Sequence, residues 1–89
     1  MSEFEGQVAV VTGAARGIGR SIARRLASGG ATVVCTDVMD PAETLAEVLS
    51  EGGSAEGLVF DVTDPESALA AIVGIHDRHG RLDVLVNNA

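Results

Sequence analysis

Two hydrophobic patterns alternate along the chain and predict two kinds of element. Short, mostly apolar runs are typical of strands that are buried on both faces of a parallel sheet. These runs occupy residues 7–12, 32–36, 58–60 and 82–86. The segments between them carry apolar residues at every third or fourth position, which is the spacing of an amphipathic helix. The predicted order of elements is therefore βαβαβαβ.

Apolar stripes and end signals define the three predicted helices. The residues expected to be buried are Ile18, Ile22, Ala23, Leu26 and Ala27 in the first helix, Leu45 and Leu49 in the second, and Leu69, Ile72 and Val73 in the third. Asp40 suits the N-cap of the second helix, Pro41 its first position and Glu43 the reciprocal cap. Asp64 opens the third helix in the same way. Glycines predict the helix ends at Gly29-Gly30, Gly52-Gly53 and Gly80.

This order predicts an α/β fold, the βαβαβαβ portion of a Rossmann-type doubly wound parallel sheet with strand order 3-2-1-4. Right-handed crossovers place the first two helices on one face of the sheet and the third helix on the other. One helix cannot cover a four-stranded sheet, so we expect part of that second face and the outer edge of the fourth strand to be bare. The switch between the first and fourth strands opens a crevice at their carboxyl ends, where ligands of such sheets bind.

The segment 12–19, TGAARGIG, joins the first strand to the first helix and carries the strongest functional signal. Gly13 permits a tight turn, Gly17 lets a ligand approach the backbone, and Gly19 lets the helix pack closely on the sheet. The free N–H groups and the positive end of the helix dipole would then face the crevice, where a pyrophosphate would bind. A glycine-rich turn can also serve geometry alone. The spacing is G-x-x-x-G-x-G, and no Gly-Lys-Ser/Thr follows, so this is not a P-loop.

An acidic and a basic residue near this turn bear on the choice of dinucleotide. Asp37 follows the second strand, where a carboxylate can accept hydrogen bonds from the ribose hydroxyls of NAD and would repel the 2′-phosphate of NADP. Arg16 points the other way, because a guanidinium in this turn could pair with a phosphate. It could equally be solvated or bonded to a neighbouring acid. We expect NAD to be preferred over NADP.

Charge and cysteine content exclude several classes of function. The formal net charge of −7 disfavours binding to nucleic acid or to an anionic membrane surface, because both need a basic footprint. No apolar run approaches the length of a membrane span, and the acidic first residues are unlike a signal peptide. Cys35 is the single cysteine and is expected to be a small core residue. His76 and His79 are expected to be solvated, since no third metal ligand accompanies them. We therefore expect no metal site and a cytoplasmic protein.

Three motifs resemble those of the short-chain dehydrogenases/reductases. Residues 12–19 resemble the TGxxxGIG cofactor signature, Asp61-Val62 after the third strand resembles the adenine-contact pair, and residues 85–89, LVNNA, resemble the NNAG motif. The resemblance covers essentially the whole chain, and the sequence is similar to the 3-oxoacyl-acyl-carrier-protein reductase-like branch of the family. It implies that residues 1–89 are the N-terminal part of a single NAD(P)-binding domain from an oxidoreductase that transfers hydride between nicotinamide and an alcohol or ketone carbon.

The resemblance also implies roles for individual residues. Asp61 would bond the adenine amino group, Val62 would offer its backbone N–H, and Asn88 would contact the ribose side through its backbone. Asn87 would tie the fourth strand to its neighbours. The complete predicted cofactor set is Gly13, Ala15, Arg16, Gly17, Ile18, Gly19, Asp37, Asp61, Val62, Asn88 and Ala89.

The family's catalytic groups are a serine on a fifth strand, a Tyr-x-x-x-Lys on the next helix and an asparagine on the preceding one. This sequence contains no Tyr and no Lys. We therefore expect no catalytic residue in the chain, a fragment of a protein of about 250 residues as the family implies, and a homo-oligomer at full length. A truncated, non-catalytic dinucleotide-binding or interaction module is the alternative. An S-adenosylmethionine-dependent methyltransferase is disfavoured by the spacing of the glycines and by residues 87–89.

Overall fold

The computed structural model describes residues 3–88. The strands are β1 (Val8–Thr12), β2 (Thr32–Asp37), β3 (Ser54–Val59) and β4 (Val84–Val86), and the helices are α1 (Gly17–Ser28), α2 (Ala42–Ser50) and α3 (Pro65–His79). The predicted order βαβαβαβ is confirmed.

All neighbouring strands of the sheet are parallel. Their order is β3-β2-β1-β4, so the predicted strand order 3-2-1-4 and the α/β class are confirmed. Val10 lies opposite Val34 of β2 and opposite Leu85 of β4. The carboxyl ends of β1, β2 and β4 therefore meet at one edge of the sheet, beside the turn that leads into α1.

The side chains of the sheet divide between two faces. The face covered by α1 and α2, here called the α1–α2 face, has a core of Ala9, Val11, Ala14, Ala23, Ala27, Ala31, Val33, Cys35 and Val48. The opposite face, here called the α3 face, has a smaller core of Val8, Val10, Val34 and Ile75. Because strand side chains alternate between faces, Leu85 lies on the α3 face with its partner Val10, but it is 57% exposed. Part of this face is thus bare, as predicted.

The buried side of α1 differs from the predicted stripe. Ile18 is 72% exposed, and Ile22 and Leu26 are only half-buried. The fully buried positions are Gly19, Ala23 and Ala27. These small residues allow the helix backbone to approach the sheet closely, so Ile22 and Leu26 pack at the margin of the α1–α2 core and Ile18 faces solvent. Of the predicted stripe, only the alanines are buried as expected.

The start and the buried side of α2 are each displaced by one residue. Pro41 stands at the N-cap, and the carboxylate of Asp40 accepts a hydrogen bond from the N–H of Ala42 at 3.0 Å. Glu43 lies 4.0 Å from Arg20 in an ion pair, so its predicted role as reciprocal cap is wrong. The buried residues are Thr44 and Val48. Leu45 is half-buried and packs against the α1–α2 core, whereas Leu49 is exposed, contrary to prediction.

The ends of α3 are as predicted, but its buried side is not. The Asp64 carboxylate accepts from the N–H groups of Glu66 and Ser67, and Gly80 ends the helix with a φ of +75°. Ile75 is the single buried residue of the helix, whereas Leu69 is 65% exposed and Val73 is exposed as well. The third predicted residue, Ile72, is half-buried.

The outer strands differ from the predicted lengths. Strand β3 begins at Ser54, four residues before the predicted apolar run, because an edge strand pairs through its backbone and needs no continuous run of apolar side chains. Strand β4 begins at Val84 rather than at residue 82. Its entry is instead fixed by Asp83, whose carboxylate accepts a hydrogen bond from the N–H of Val8 at 2.8 Å.

Candidate functional site

The turn between β1 and α1 depends on glycine in two ways. Gly13 and Gly17 have φ angles of +66° and +61°, in the left-handed region that glycine enters without steric cost. At Gly19, a Cβ atom would lie 2.0 Å from the carbonyl oxygen of Gly13. The first turn of α1 therefore passes closer to the preceding loop than any side chain would allow.

The N terminus of α1 is left uncovered by the protein. Arg16 occupies the N-cap with extended backbone, its side chain makes no capping hydrogen bond, and the first turn contains no acidic residue. Within residues 3–88, no group accepts a hydrogen bond from the N–H of Gly17, Ile18 or Gly19. Such N–H groups, together with the helix dipole, form a ready site for an anion.

The carboxylate of Asp37 lies beside this turn. One oxygen accepts a hydrogen bond from the N–H of Ala15 at 2.9 Å, and the other accepts from the N–H of Met39 at 3.1 Å. Two backbone donors thus orient the side chain at the end of β2. A carboxylate oxygen can accept more than one hydrogen bond, so both oxygens retain capacity for a ligand hydroxyl.

A cleft of about 430 Å³ opens at the carboxyl ends of β1 and β2. It is lined by Gly13, Arg16, Gly17, Ile18, Asp37, Val38, Met39 and Asn88. The structure thus brings together six of the predicted cofactor residues, while Ala15 and Gly19 are buried directly behind the turn. The exposed apolar residues Val38 and Met39 were missed by sequence reasoning, although their position directly after Asp37 is the signal that could have found them.

The end of β4 is bonded to the end of β1. The backbone N–H of Asn88 donates to the Thr12 hydroxyl at 2.9 Å, and the Asn88 side chain donates to the carbonyl oxygen of Gly13 at 3.4 Å. The Thr12 hydroxyl lies 3.3 Å from the side-chain oxygen of Asn87. Thr12 therefore connects the two strands on either side of the crevice.

Arg16 and Asp37 line the same cleft without pairing. The Arg16 side chain is exposed, and it forms no ion pair or hydrogen bond with any residue from 3 to 88. Both charges therefore remain available to a bound molecule. The cleft carries one anionic and one cationic group, which matches the mixed signal that the sequence predicts.

Asp61 and Val62 are not among the residues that line the cleft. The Asp61 carboxylate accepts hydrogen bonds from the hydroxyl and the N–H of Thr63, at 2.7 and 2.9 Å, and these bonds lower the pKa of Asp61. The N–H of Phe60 donates to the carbonyl oxygen of Asp37 at 3.1 Å, so Asp61 follows closely behind the end of β2. The predicted cofactor residue Ala89 lies outside the described residues.

Two further polar residues contact the turn from its other side. Arg20 of α1 and Thr44 of α2 donate hydrogen bonds to the carbonyl oxygens of Ala15 and Ala14. Sequence reasoning missed both, because the contact between Thr44 and Ala14 joins residues 30 positions apart and no local sequence pattern predicts it.

The cysteine and one of the two histidines have surroundings that indicate a structural role. Burial raises the pKa of the Cys35 thiol to about 11, as suits the core residue that was predicted. His79 is wrongly predicted to be solvated, since its ring nitrogen lies 2.7 Å from the carboxylate of Glu56 and most of its side chain is buried. Across residues 3–88, no three His, Cys, Asp or Glu side chains are grouped so that they could hold a metal ion. None of the helices between those residues has the length and apolar character that a bilayer crossing requires.

Comparisons with known proteins agree on one family. The family model for the short chain dehydrogenases matches residues 7–89. The 3-oxoacyl-acyl-carrier-protein reductase FabG of Vibrio harveyi is 49% identical over 87 residues, which is 97% of this chain and 35% of the relative. The chain thus spans about a third of the length of that relative.

Solved structures of the same kind superpose closely. A metagenomic short-chain oxidoreductase in complex with NADP has a TM-score of 0.88 and 48% identity, covering 96% of this chain and 39% of its own. Carveol dehydrogenase from Mycobacterium avium in complex with NAD has a TM-score of 0.90 and 33% identity, covering 100% of this chain and 37% of its own. The match of the family model over nearly all residues, together with the strand order and the glycine-rich turn, shows that this chain belongs to the short-chain dehydrogenase family.

Proposed function

We propose that this chain binds a nicotinamide dinucleotide and forms the cofactor-binding part of an oxidoreductase that transfers hydride between nicotinamide and an alcohol or ketone carbon. The observation that carries the proposal is the uncovered N terminus of α1 beside the Asp37 carboxylate. Anion-binding N–H groups and a ribose-binding carboxylate at one strand edge are the two contacts that a dinucleotide requires. Membership of the short-chain dehydrogenase family supports the same reading.

The residues of the cleft fit the parts of the cofactor. The N–H groups of Gly17, Ile18 and Gly19 would bind the pyrophosphate, and the open space beside Gly17 leaves room for it, since no atom lies within 4 Å of a Cβ built there. Asp37 would accept hydrogen bonds from the ribose hydroxyls. When bound, the nicotinamide ring would supply the hydride donor or acceptor.

Further contacts would come from residues around the cleft. Asn88 and Ala89 would contact the ribose on the nicotinamide side, while Asp61 and Val62 would contact the adenine. The apolar side chains of Val38 and Met39 line the cleft beyond Asp37 and would flank the adenine ring.

We infer that NAD is preferred over NADP. The Asp37 carboxylate is oriented by two backbone donors, so it would offer its oxygens to both ribose hydroxyls of NAD and would repel a 2′-phosphate. Arg16 also lines the cleft and would moderate this repulsion without removing it, because the charge of an exposed side chain is screened by water and salt.

The chemical step would be performed by residues outside this sequence. The 89 residues contain no Tyr and no Lys, the types that the family uses for proton transfer. We propose that the catalytic residues, and the interface of a homo-oligomer, belong to a longer protein that acts in the cytoplasm.

Titration with NADH and NADPH, followed by nicotinamide fluorescence, tests the proposal. We expect saturable binding of NADH that is at least tenfold tighter than that of NADPH. Asp37→Asn should weaken the binding of NADH and reduce the ratio of the NADPH to the NADH dissociation constant to about threefold or less. Asp77→Asn is the matched control, because it removes the same charge at an exposed position whose side chain makes no hydrogen bond or ion pair with residues 3–88. Absence of binding by the folded wild-type chain would overturn the proposal, and tighter binding of NADPH would overturn the preference.

A further inference from the structure

Two side chains that do not line the cleft contact the glycine-rich turn. The Thr44 hydroxyl donates to the carbonyl oxygen of Ala14 at 2.7 Å, and the Arg20 guanidinium donates to the carbonyl oxygen of Ala15 at 2.5 Å. A second nitrogen of Arg20 donates to the Thr44 hydroxyl at 3.0 Å. The two side chains are thus bonded to each other and to two successive carbonyl groups of the turn.

These hydrogen bonds are costly to lose because the groups that form them are largely buried. Thr44 is fully buried, and the Arg20 side chain is 26% exposed. Glu47 of α2 lies 3.1 Å from Arg20 and supplies the opposite charge. The single hydroxyl proton of Thr44 is used on Ala14 and its oxygen accepts from Arg20, so loss of either partner leaves a buried polar group unsatisfied.

Peptide planarity carries this restraint across the turn. In a trans peptide the carbonyl of one residue and the N–H of the next point in opposite directions. A carbonyl of Ala14 that is bonded to Thr44 therefore directs the N–H of Ala15 the other way, toward Asp37, to which it is bonded at 2.9 Å. In the same manner, a carbonyl of Ala15 bonded to Arg20 directs the N–H of Arg16 away from α2.

We propose that Arg20 and Thr44 are positioning residues for the dinucleotide. Neither lines the cleft; they act through the turn, by keeping two carbonyl oxygens turned away from the bound anion and by holding Asp37 in place through Ala15. This inference rests on the proposed function. It predicts that loss of either side chain weakens the binding of NADH. It should also reduce discrimination against NADPH, because the Asp37 side chain is then no longer held in one orientation.

The test compares Thr44→Val and Arg20→Met with Arg24→Met in NADH and NADPH titrations. Arg24 lies one turn further along α1 and pairs with Glu47 of α2 and with Glu51 directly after it, without touching the turn, so it controls for loss of a cation between the same two helices. Thr44→Val and Arg20→Met should each raise the dissociation constant of NADH about tenfold and lower the NADPH/NADH ratio at least threefold. Arg24→Met should change both values less than twofold, and Thr44→Ser should restore wild-type binding.

The possible failures are distinct. A folded wild-type chain that binds neither dinucleotide overturns the proposed function. If the wild type binds and both variants bind as tightly as Arg24→Met with an unchanged ratio, the positioning role is wrong. Thermal unfolding is recorded for each protein, and if Thr44→Val does not fold, the comparison of Arg20→Met with Arg24→Met decides alone. Loss of stability with unchanged ratio in Arg20→Met would also overturn the proposal, since a purely structural residue would give that result.

Discussion

The two faces of the sheet are packed very differently. On the α1–α2 face, two helices lie over a core that includes Val11, Val33 and Val48. On the α3 face, one helix contributes a single fully buried side chain, Ile75. The glycine-rich turn, Arg20 and Thr44 all belong to the better-packed side. The candidate cofactor site therefore borders the better-packed face, although its lining also includes the exposed apolar side chains of Ile18, Val38 and Met39.

The largest expected effect is at the junction of α1 with the turn. Gly19→Ala places a Cβ 2.0 Å from the carbonyl oxygen of Gly13, and because this oxygen belongs to the backbone there is little room to relax. We expect destabilisation of about 3 kcal/mol or more, at or beyond the upper end for overpacking. Urea unfolding followed by circular dichroism measures it.

Gly74→Ala on α3 is the matched control for this change. A Cβ there would meet only the end of the Arg78 side chain at 3.5 Å. Because alanine favours a helix interior over glycine, we expect stabilisation of about 0.5–1 kcal/mol. Equal effects of the two substitutions would refute the contrast between the two faces.

The second prediction concerns α3 alone. Ile75→Ala removes its one buried anchor and should destabilise by about 2–4 kcal/mol, the usual range for large core residues. Leu69→Ala, at a position that is 65% exposed, should change the free energy of unfolding by less than about 0.5 kcal/mol. A large loss from Leu69→Ala in the isolated chain would mean that the first turns of α3 are packed.

How much was predictable from the sequence depends on whether the signal is local. The element order, the Asp64 cap and the Gly80 helix end are encoded within a few residues, and all agree with the structure. Large apolar residues expected on the buried sides of the helices, such as Ile18, are more exposed than their hydrophobicity suggests. Ala23, which was also expected to be buried, is buried because its small side chain lets the helix approach the sheet closely.

The candidate site divides in the same way. The turn, Asp37 and Asn88 could be found from motif spacing and the carboxyl-end rule, and the structure gathers them around one cleft. Thr44 could not, because its role depends on how α2 docks against the turn, a tertiary contact with no periodic signature. Asp61 is close to the end of β2 but is bonded to Thr63, which motif spacing cannot reveal.

The third prediction concerns the hydrogen bond between Asp83, just before β4, and Val8 of β1, and it uses the pH dependence of protein stability to test this bond. Hydrogen bonds from Arg81 and from the N–H of Val8 lower the pKa of Asp83 to about 2, from about 3.9 in an unfolded chain. The folded protein thus favours the charged form, so the stabilisation is complete above pH 4 and is lost as the pH falls toward 2. The difference in unfolding free energy between wild type and Asp83→Asn should therefore shrink over this range. The difference in unfolding free energy between wild type and Asp77→Asn should not shrink in this way. If it shrank equally, the pH dependence could not be assigned to Asp83.

The smallest expected effect is a difference in chemical access rather than in stability. Cys35 lies buried on the α1–α2 face, and burial raises the pKa of its thiol to about 11, so a thiol reagent at pH 8 should label it only when that face opens. Labelling of the native chain should be slow and should become complete within seconds in urea. In a Cys35→Ala background, Leu85→Cys on β4 should react at once, because this position is exposed on the α3 face. Equal labelling rates at the two positions would show that Cys35 is as accessible as an exposed position on the α3 face, which would contradict the difference in packing between the two faces.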